Sequence, residues 1–155
     1  MKPTRRLVPR VALAALVLGL SASAPAQAQQ ITRKDVPAAV LAAFEKAYPK
    51  ATIKQFSKEM EKGQTVYELE TIEGKTTRDI IYSADGSMLL LEESVNLSEL
   101  PPAVKAALDK KHPGAKILRS EKVIKGSVTG FEFLVEHLGK TAEAVFDPQG
   151  NELKL

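Results

Sequence analysis

The side chains best suited to chemistry in this 155-residue chain are two histidines and several closely spaced carboxylates, and there is no cysteine. Without cysteine there is no disulfide, thiolate zinc site or cysteine nucleophile. Glu132, Glu136 and His137 suggest a zinc or copper set, but neighbouring strand residues point to opposite faces. Glu136 and His137 therefore cannot readily share an ion, and neither a metal nor a cofactor is expected. His112 precedes a helix-ending proline, where an exposed imidazole is favourable at a helix C-terminus. Glu68 with Glu70, and Glu132 with Glu136, share strand faces. General acid–base work would need one such carboxyl raised by burial. On an open sheet rich in lysine, cross-strand charge pairing is the expectation instead. No G-x-S-x-G, P-loop or dinucleotide-binding glycine pattern occurs. No enzyme is expected.

The elements that would carry these groups begin after a leader. Lys2, Arg5, Arg6 and Arg10 precede the apolar run from Val11 to Leu20, and Ala26-Gln27-Ala28 supplies a small-x-small cleavage site. Residues 1–28 therefore read as a signal peptide, and the run is shorter than the ~20 residues a bilayer crossing needs. The whole chain has 22 basic and 19 acidic residues. Removing the leader takes away four basic and no acidic side chains, leaving 18 against 19. The pI of about 9.1 thus belongs to the leader, and nucleic acid binding loses its compositional support. Alternating charges such as Glu121-Lys122 read as a solvated face. The mature protein is expected in the periplasm or outside the cell, with no stable membrane anchor.

Beyond the leader the chain is written twice. Val36-Pro37…Val40…Ala43-Phe44…Pro49…Ala51…Ile53 returns as Leu100-Pro101…Val104…Ala107-Leu108…Pro113…Ala115…Ile117, an offset of 64 (101 − 37). Over residues 36–91 this offset gives 16 identities without a gap. Each copy opens with a short amphipathic helix entered at proline and closed by Pro49 or Pro113. Strands are expected at 51–58, 65–71, 75–83 and 87–92, with antiparallel turns between them. Gly74-Lys75 aligns with Gly139-Lys140 only at offset 65, so that hairpin is expected to turn one residue later in the second copy. The fold class is α+β: a tandem duplication of a helix plus a four-stranded antiparallel sheet. Residues 29–34 form a flexible N-terminus, 35–93 the first repeat, 94–98 a linker and 99–155 the second.

A unit of about 60 residues buries only about 60% of its unfolded surface, so each helix must cover one sheet face. The opposite face carries Glu68, Glu70, Asp79, Ile81, Met88 and Leu90 in the first copy, and Glu132, Leu134 and Val145 in the second. Apolar anchors rimmed by carboxylates suit a partner protein. The leading expectation is an exported, non-catalytic protein that contacts another exported protein or peptide through this face. Alternatives are a small-ligand or ion carrier or sensor, with a pocket between the copies lined by Tyr67 or Phe133, and a structural accessory.

The repeated Pro-x-x-Val-x-x-Ala pattern, with Pro49-x-Ala51-x-Ile53 and Pro113-x-Ala115-x-Ile117 behind it, resembles the PepSY-like domain. Its structural relatives include the beta-lactamase-inhibitor-protein-like fold. The resemblance spans nearly the whole mature chain and implies exported binding modules, some linked to inhibition or envelope signalling. It brings no catalytic residue. The residues by which the lactamase inhibitor grips its enzyme have no match here, so that target is not implied.

Overall fold

The computed structural model describes residues 28–154. The leader expected over 1–28 lies, but for its last residue, outside the described residues. Residues expected to be loose are ordered instead: β1 (Gln29–Ile31) pairs with β2 (Thr52–Glu61), Ile31 opposite Phe56. A capped 3-10 turn over Arg33–Asp35 follows, in which Asp35 Oδ2 accepts the Thr32 N–H at 3.0 Å.

The helices are α1 (Ala38–Ala47) and α2 (Pro102–Lys111), with Pro37 and Pro101 at their N-caps. A proline there suits a position whose own N–H no helical carbonyl needs. Both close alike, Tyr48 N–H donating to Phe44 O at 2.8 Å and His112 N–H to Leu108 O at 2.9 Å. Each is short and draws its stability from the stripe it buries. Val40 and Phe44 form that stripe in α1, Val104 and Leu108 in α2.

The remaining strands are β3 (Gln64–Glu73), β4 (Thr76–Ser83), β5 (Met88–Ser94), β6 (Lys116–Lys125), β7 (Val128–His137) and β8 (Lys140–Phe146). They form one eight-stranded antiparallel sheet in the order β1 to β8. This corrects the expected fold class, which had two helix-plus-four-strand units. The chain is mostly β, with only two short helices among the described residues. The seam joins the end of the expected first repeat, with the first linker residues, to the second half: Leu90 pairs with Lys125, Ser94 pairs with Glu121, and Val95 N–H donates to Ser120 O at 3.1 Å. Two separate sheets would have left the outer N–H and C=O groups of β5 and β6 unpaired, and joining them satisfies that row. Nor does a fourth strand close the second half, where the chain after β8 makes the isolated bridge Phe146–Glu152.

Both helices lie on the same face of this sheet. Under α1 pack Leu69, Ile80, Tyr82 and Leu91; under α2 pack Phe131, Phe133, Val135, Ala144 and Phe146. Registers equal to the sequence alternation carry Tyr67, Leu69 and Thr71 to this face and Glu68 and Glu70 to the other. The β3–β4 and β7–β8 hairpins turn at the same place, 74–75 and 138–139, so the later turn expected in the second half does not occur. What differs is which turn position holds the glycine. Gly74 has φ 60 at the first position, whereas Leu138 (φ 50) and Gly139 (φ 77) are both left-handed. Each helix start meets a glycine turn. A Cβ on Gly86 would stand 2.6 Å from Ala39 O, and one on Gly150 2.6 Å from Ala103 O.

Candidate functional site

Alternation and register assemble the helix-free face row by row. Glu70 of β3 stands opposite Asp79 of β4, which stands opposite Glu92 of β5, with Val123 of β6 next. One step along, Glu121 of β6 faces Glu132 of β7, which faces Val145 of β8. Like charges directly opposite one another are destabilising unless partnered or protonated.

Eight of the nine residues expected on this face are there. Ile81 lies between Glu68 and Leu90, and Leu134 lies beside Glu143; Ile81, Leu90, Leu134 and Val145 are all half-buried. Asp79 and Glu132 are buried, Glu132 only 2% exposed. Met88 is the exception. A bulge between Ile81 and Tyr82 sets it opposite Tyr82, whose side chain belongs to the helix-covered core, and this shift of parity removes it from the set. Both carboxylates accept from side chains of β2: Ser57 Oγ donates to Glu68 Oε2 at 2.8 Å, and Gln55 Nε2 to Glu70 Oε1 at 3.2 Å.

Arg119 is a cation within the band, beside Glu121 and Glu132. Its Nε approaches Glu121 Oε2 at 3.0 Å as an ion pair, and its Nη2 donates to Glu132 Oε1 at 3.2 Å. Burial still outweighs that guanidinium and raises the Glu132 pKa, with Glu143 and Glu121 adding to the effect. Glu132 Oε2 is buried without a hydrogen-bond partner. Glu92 is pushed up to about 7, chiefly by burial, then by Glu121, Glu132 and Asp79, against the pull of Arg119. Among the described residues Glu92 makes no side-chain hydrogen bond or ion pair. A carboxyl poised this way is a frequent mark of a functional surface.

Three members of this band were missed in the sequence. Glu92 and Arg119 gave no local signal beyond their parity, and Arg119 reaches the face only through a bulge between Ile117 and Arg119. Glu121-Lys122 read as a solvated pair, yet Glu121 is 3% exposed and Lys122 points to the opposite face, across from Phe131. His112 is likewise half-buried rather than exposed, its Nε2 lacking a hydrogen-bond partner. No cluster of three metal-ligating side chains occurs among the described residues. Phe133 is fully buried in the α2 core and cannot line an open pocket. A cleft of about 530 Å³ lies elsewhere, between α1 and β2, lined by Phe44, Tyr48, Ile53 and Phe56.

No protein-family model and no curated protein matches the chain. Solved structures share the fold. A "putative periplasmic" protein from Bacteroides eggerthii has a TM-score of 0.66 at 18% identity, covering 77% of this chain and 86% of its own. A BLIP-like protein from Bacteroides fragilis has a TM-score of 0.62 at 24% identity, covering 77% and 84%. A DUF2874 family protein from Bacteroides uniformis has a TM-score of 0.64 at 18% identity, covering 77% and 87%. One of these neighbours is called BLIP-like, and none is named PepSY. The export expected from the leader agrees with the compartment named for the first of them. No helix among the described residues is long and apolar enough to cross a membrane.

Proposed function

We propose that this is an exported, non-catalytic binding protein that engages another envelope or secreted protein, such as a hydrolase, through its helix-free sheet face. The observation that carries this reading is the placement of both helices on one face of an eight-stranded sheet. The other face is left with half-buried Ile81, Leu90, Leu134 and Val145 set among carboxylates. Apolar anchors ringed by polar groups are the usual anatomy of a recognition patch. Occupying a partner's active cleft with such a face would block it sterically, which asks no chemistry of this chain.

The test is capture from the exported fraction by wild type and by Leu90→Glu/Leu134→Glu, with partners identified by mass spectrometry. Loss of a specific partner in the variant is the expected result. Equal recovery by both proteins would rule this face out as the binding surface.

A further inference from the structure

The cleft between α1 and β2 exists because β1 stops short. β1 pairs only with residues 56–58 of β2, and after Ile31 the chain turns away through Arg33–Asp35. Among the described residues nothing pairs with the outer side of 52–55, and the end of α1 faces that stretch across the opening. The space, about 530 Å³, has the size of a small-molecule site. Its apolar wall is Phe44, Tyr48, Ile53 and Phe56, and Arg33 and Glu45, also lining it, form an ion pair.

The duplication supplies an internal control for this wall. Pro49, Ala51 and Ile53 return as Pro113, Ala115 and Ile117, so the positions that shape the unit are kept. The groups around the opening are not kept. Arg33, Lys50 and Lys54 stand where the second half has Leu97, Gly114 and Leu118. Tyr48 and Phe56 stand where it has His112 and Ser120. Laying a short helix on this sheet therefore requires neither those cations nor those rings. Lys50 and Lys54 are exposed; one lies between the lining residues Pro49 and Ala51, the other beside Ile53 at the β2 bulge. We propose that this cleft binds a small aromatic carboxylate, its ring against Tyr48 and Phe56 and its carboxylate on Arg33.

The wall is held in place before any ligand arrives. The Phe44 and Tyr48 ring centroids are 5.7 Å apart, and the Arg78 guanidinium sits 4.9 Å over the Tyr48 ring. Arg33 and Glu45 are 55% and 56% exposed, and an ion pair so open to water holds weakly. An incoming carboxylate can take the place of Glu45 on the guanidinium fork. Arg33, Lys50 and Lys54 outnumber Glu45 and favour an anion, while the rings favour one that carries an aromatic body. Phe44, Ile53 and Phe56 belong to the core under α1, so the cleft lies on the helix side, away from the face proposed for a partner protein.

The test is an amide NMR titration of the mature protein with naphthylacetate, beside its uncharged amide, naphthylethylamine and acetate. Naphthylacetate should give saturable shifts centred on residues 44–56, with a dissociation constant on the order of 0.1–1 mM for so open a site. The amide should bind about tenfold more weakly, and the amine and acetate should not bind. Arg33→Gln/Lys50→Gln should weaken binding about tenfold, and Glu45→Gln, which frees Arg33, should tighten it about threefold. Lys105→Ala/Lys110→Ala, the same charge change on α2, should leave it unaltered. All of these side chains are exposed except Lys50 and Lys110 in no respect, and the spectra themselves report whether each variant is folded. No saturable shift, shifts centred elsewhere, equal binding of acid and amide, or weaker binding by Glu45→Gln would overturn the proposal. Tighter binding of a short peptide ending in a free phenylalanine carboxylate would overturn the small-acid reading in favour of a polypeptide terminus. Loss of naphthylacetate binding with a partner protein still captured removes this cleft and leaves the docking face intact.

Discussion

The layers under α1 and α2 solve one packing problem with different side chains. Beneath α1, Leu69 and Ile80 stand directly opposite each other; beneath α2, at positions 64 later, stand Phe133 and Ala144. The helix residue that joins each cluster changes in the opposite sense, Phe44 in α1 and Leu108 in α2. The aromatic ring has moved from helix to sheet in a Phe–Leu exchange that conserves volume, while Ala144 leaves the second layer three carbons smaller than Ile80 makes the first. A core accepts such exchanges when volume is conserved and rejects them singly.

The helix ends differ in how well their polar groups are satisfied. Arg78 sits 4.9 Å over the Tyr48 ring and pairs with Glu73 and Glu93. At the corresponding end of α2, His112 replaces the tyrosine and Ala142 occupies the place of the arginine (142 − 78 = 64). The last hairpin strands differ as well. β4 is paired on both sides, whereas the outer side of β8 has the Phe146–Glu152 bridge and the Leu153 N–H donating to Val145 O at 2.8 Å. Leu153 also fills the space above Gly130, where Val66 supplies a side chain of its own in the first half.

Truncating the rings breaks the comparison hardest. Phe133→Ala and Phe44→Ala should each cost about 3–5 kcal/mol in denaturant unfolding. Leu69→Phe alone should overpack and cost about 1–3 kcal/mol. Adding Phe44→Leu to it should recover most of that loss, and no recovery would show that the ring cannot be exchanged between helix and sheet.

A smaller effect tests the seam between the halves. Glu92 rises from 4.5 to about 7 on folding, so between those values the native chain holds a proton the unfolded chain has released. Stability must then fall as pH rises through that window and level off above it. Glu92→Gln should abolish that slope and stabilise the protein at pH above 7 by on the order of 3 kcal/mol, with little effect below the window. Urea titrations of both proteins across pH would read it, and parallel pH profiles would contradict the placement of Glu92.

The smallest effect concerns the hairpin between β7 and β8. Leu138 is 90% exposed and left-handed at φ 50, a conformation asparagine tolerates better than leucine. Leu138→Asn should raise stability by about 0.5–1 kcal/mol, and an unchanged melting temperature would count against strain at that turn.

Much of this was already readable along the chain. The apolar stripes Val40/Phe44 and Val104/Leu108, the alternation through Tyr67, Leu69 and Thr71, and the glycine turn at Gly86 are local patterns that depend on residues a few positions apart. The carboxylates Glu68, Glu70, Asp79 and Glu132 followed from the same parity. Period-two counting fails wherever a bulge inserts a residue, and so Met88 was placed on the wrong face and Arg119 was overlooked.

By itself the chain determined both helices, most of the strands and, away from bulges, which side of a strand is apolar, because those follow from spacing alone, but it did not show β1 or the missing fourth strand of the second half. Only the tertiary structure decided that β5 and β6 zip two halves into one sheet. That pairing satisfies backbone groups on segments more than twenty residues apart (Leu91 and Ile124, for instance), and backbone groups look the same in every residue. The row of Glu70, Asp79 and Glu92 beside Glu121 and Glu132 depends on the same joining. No side-chain pattern within a single strand states which charges will become neighbours across a seam.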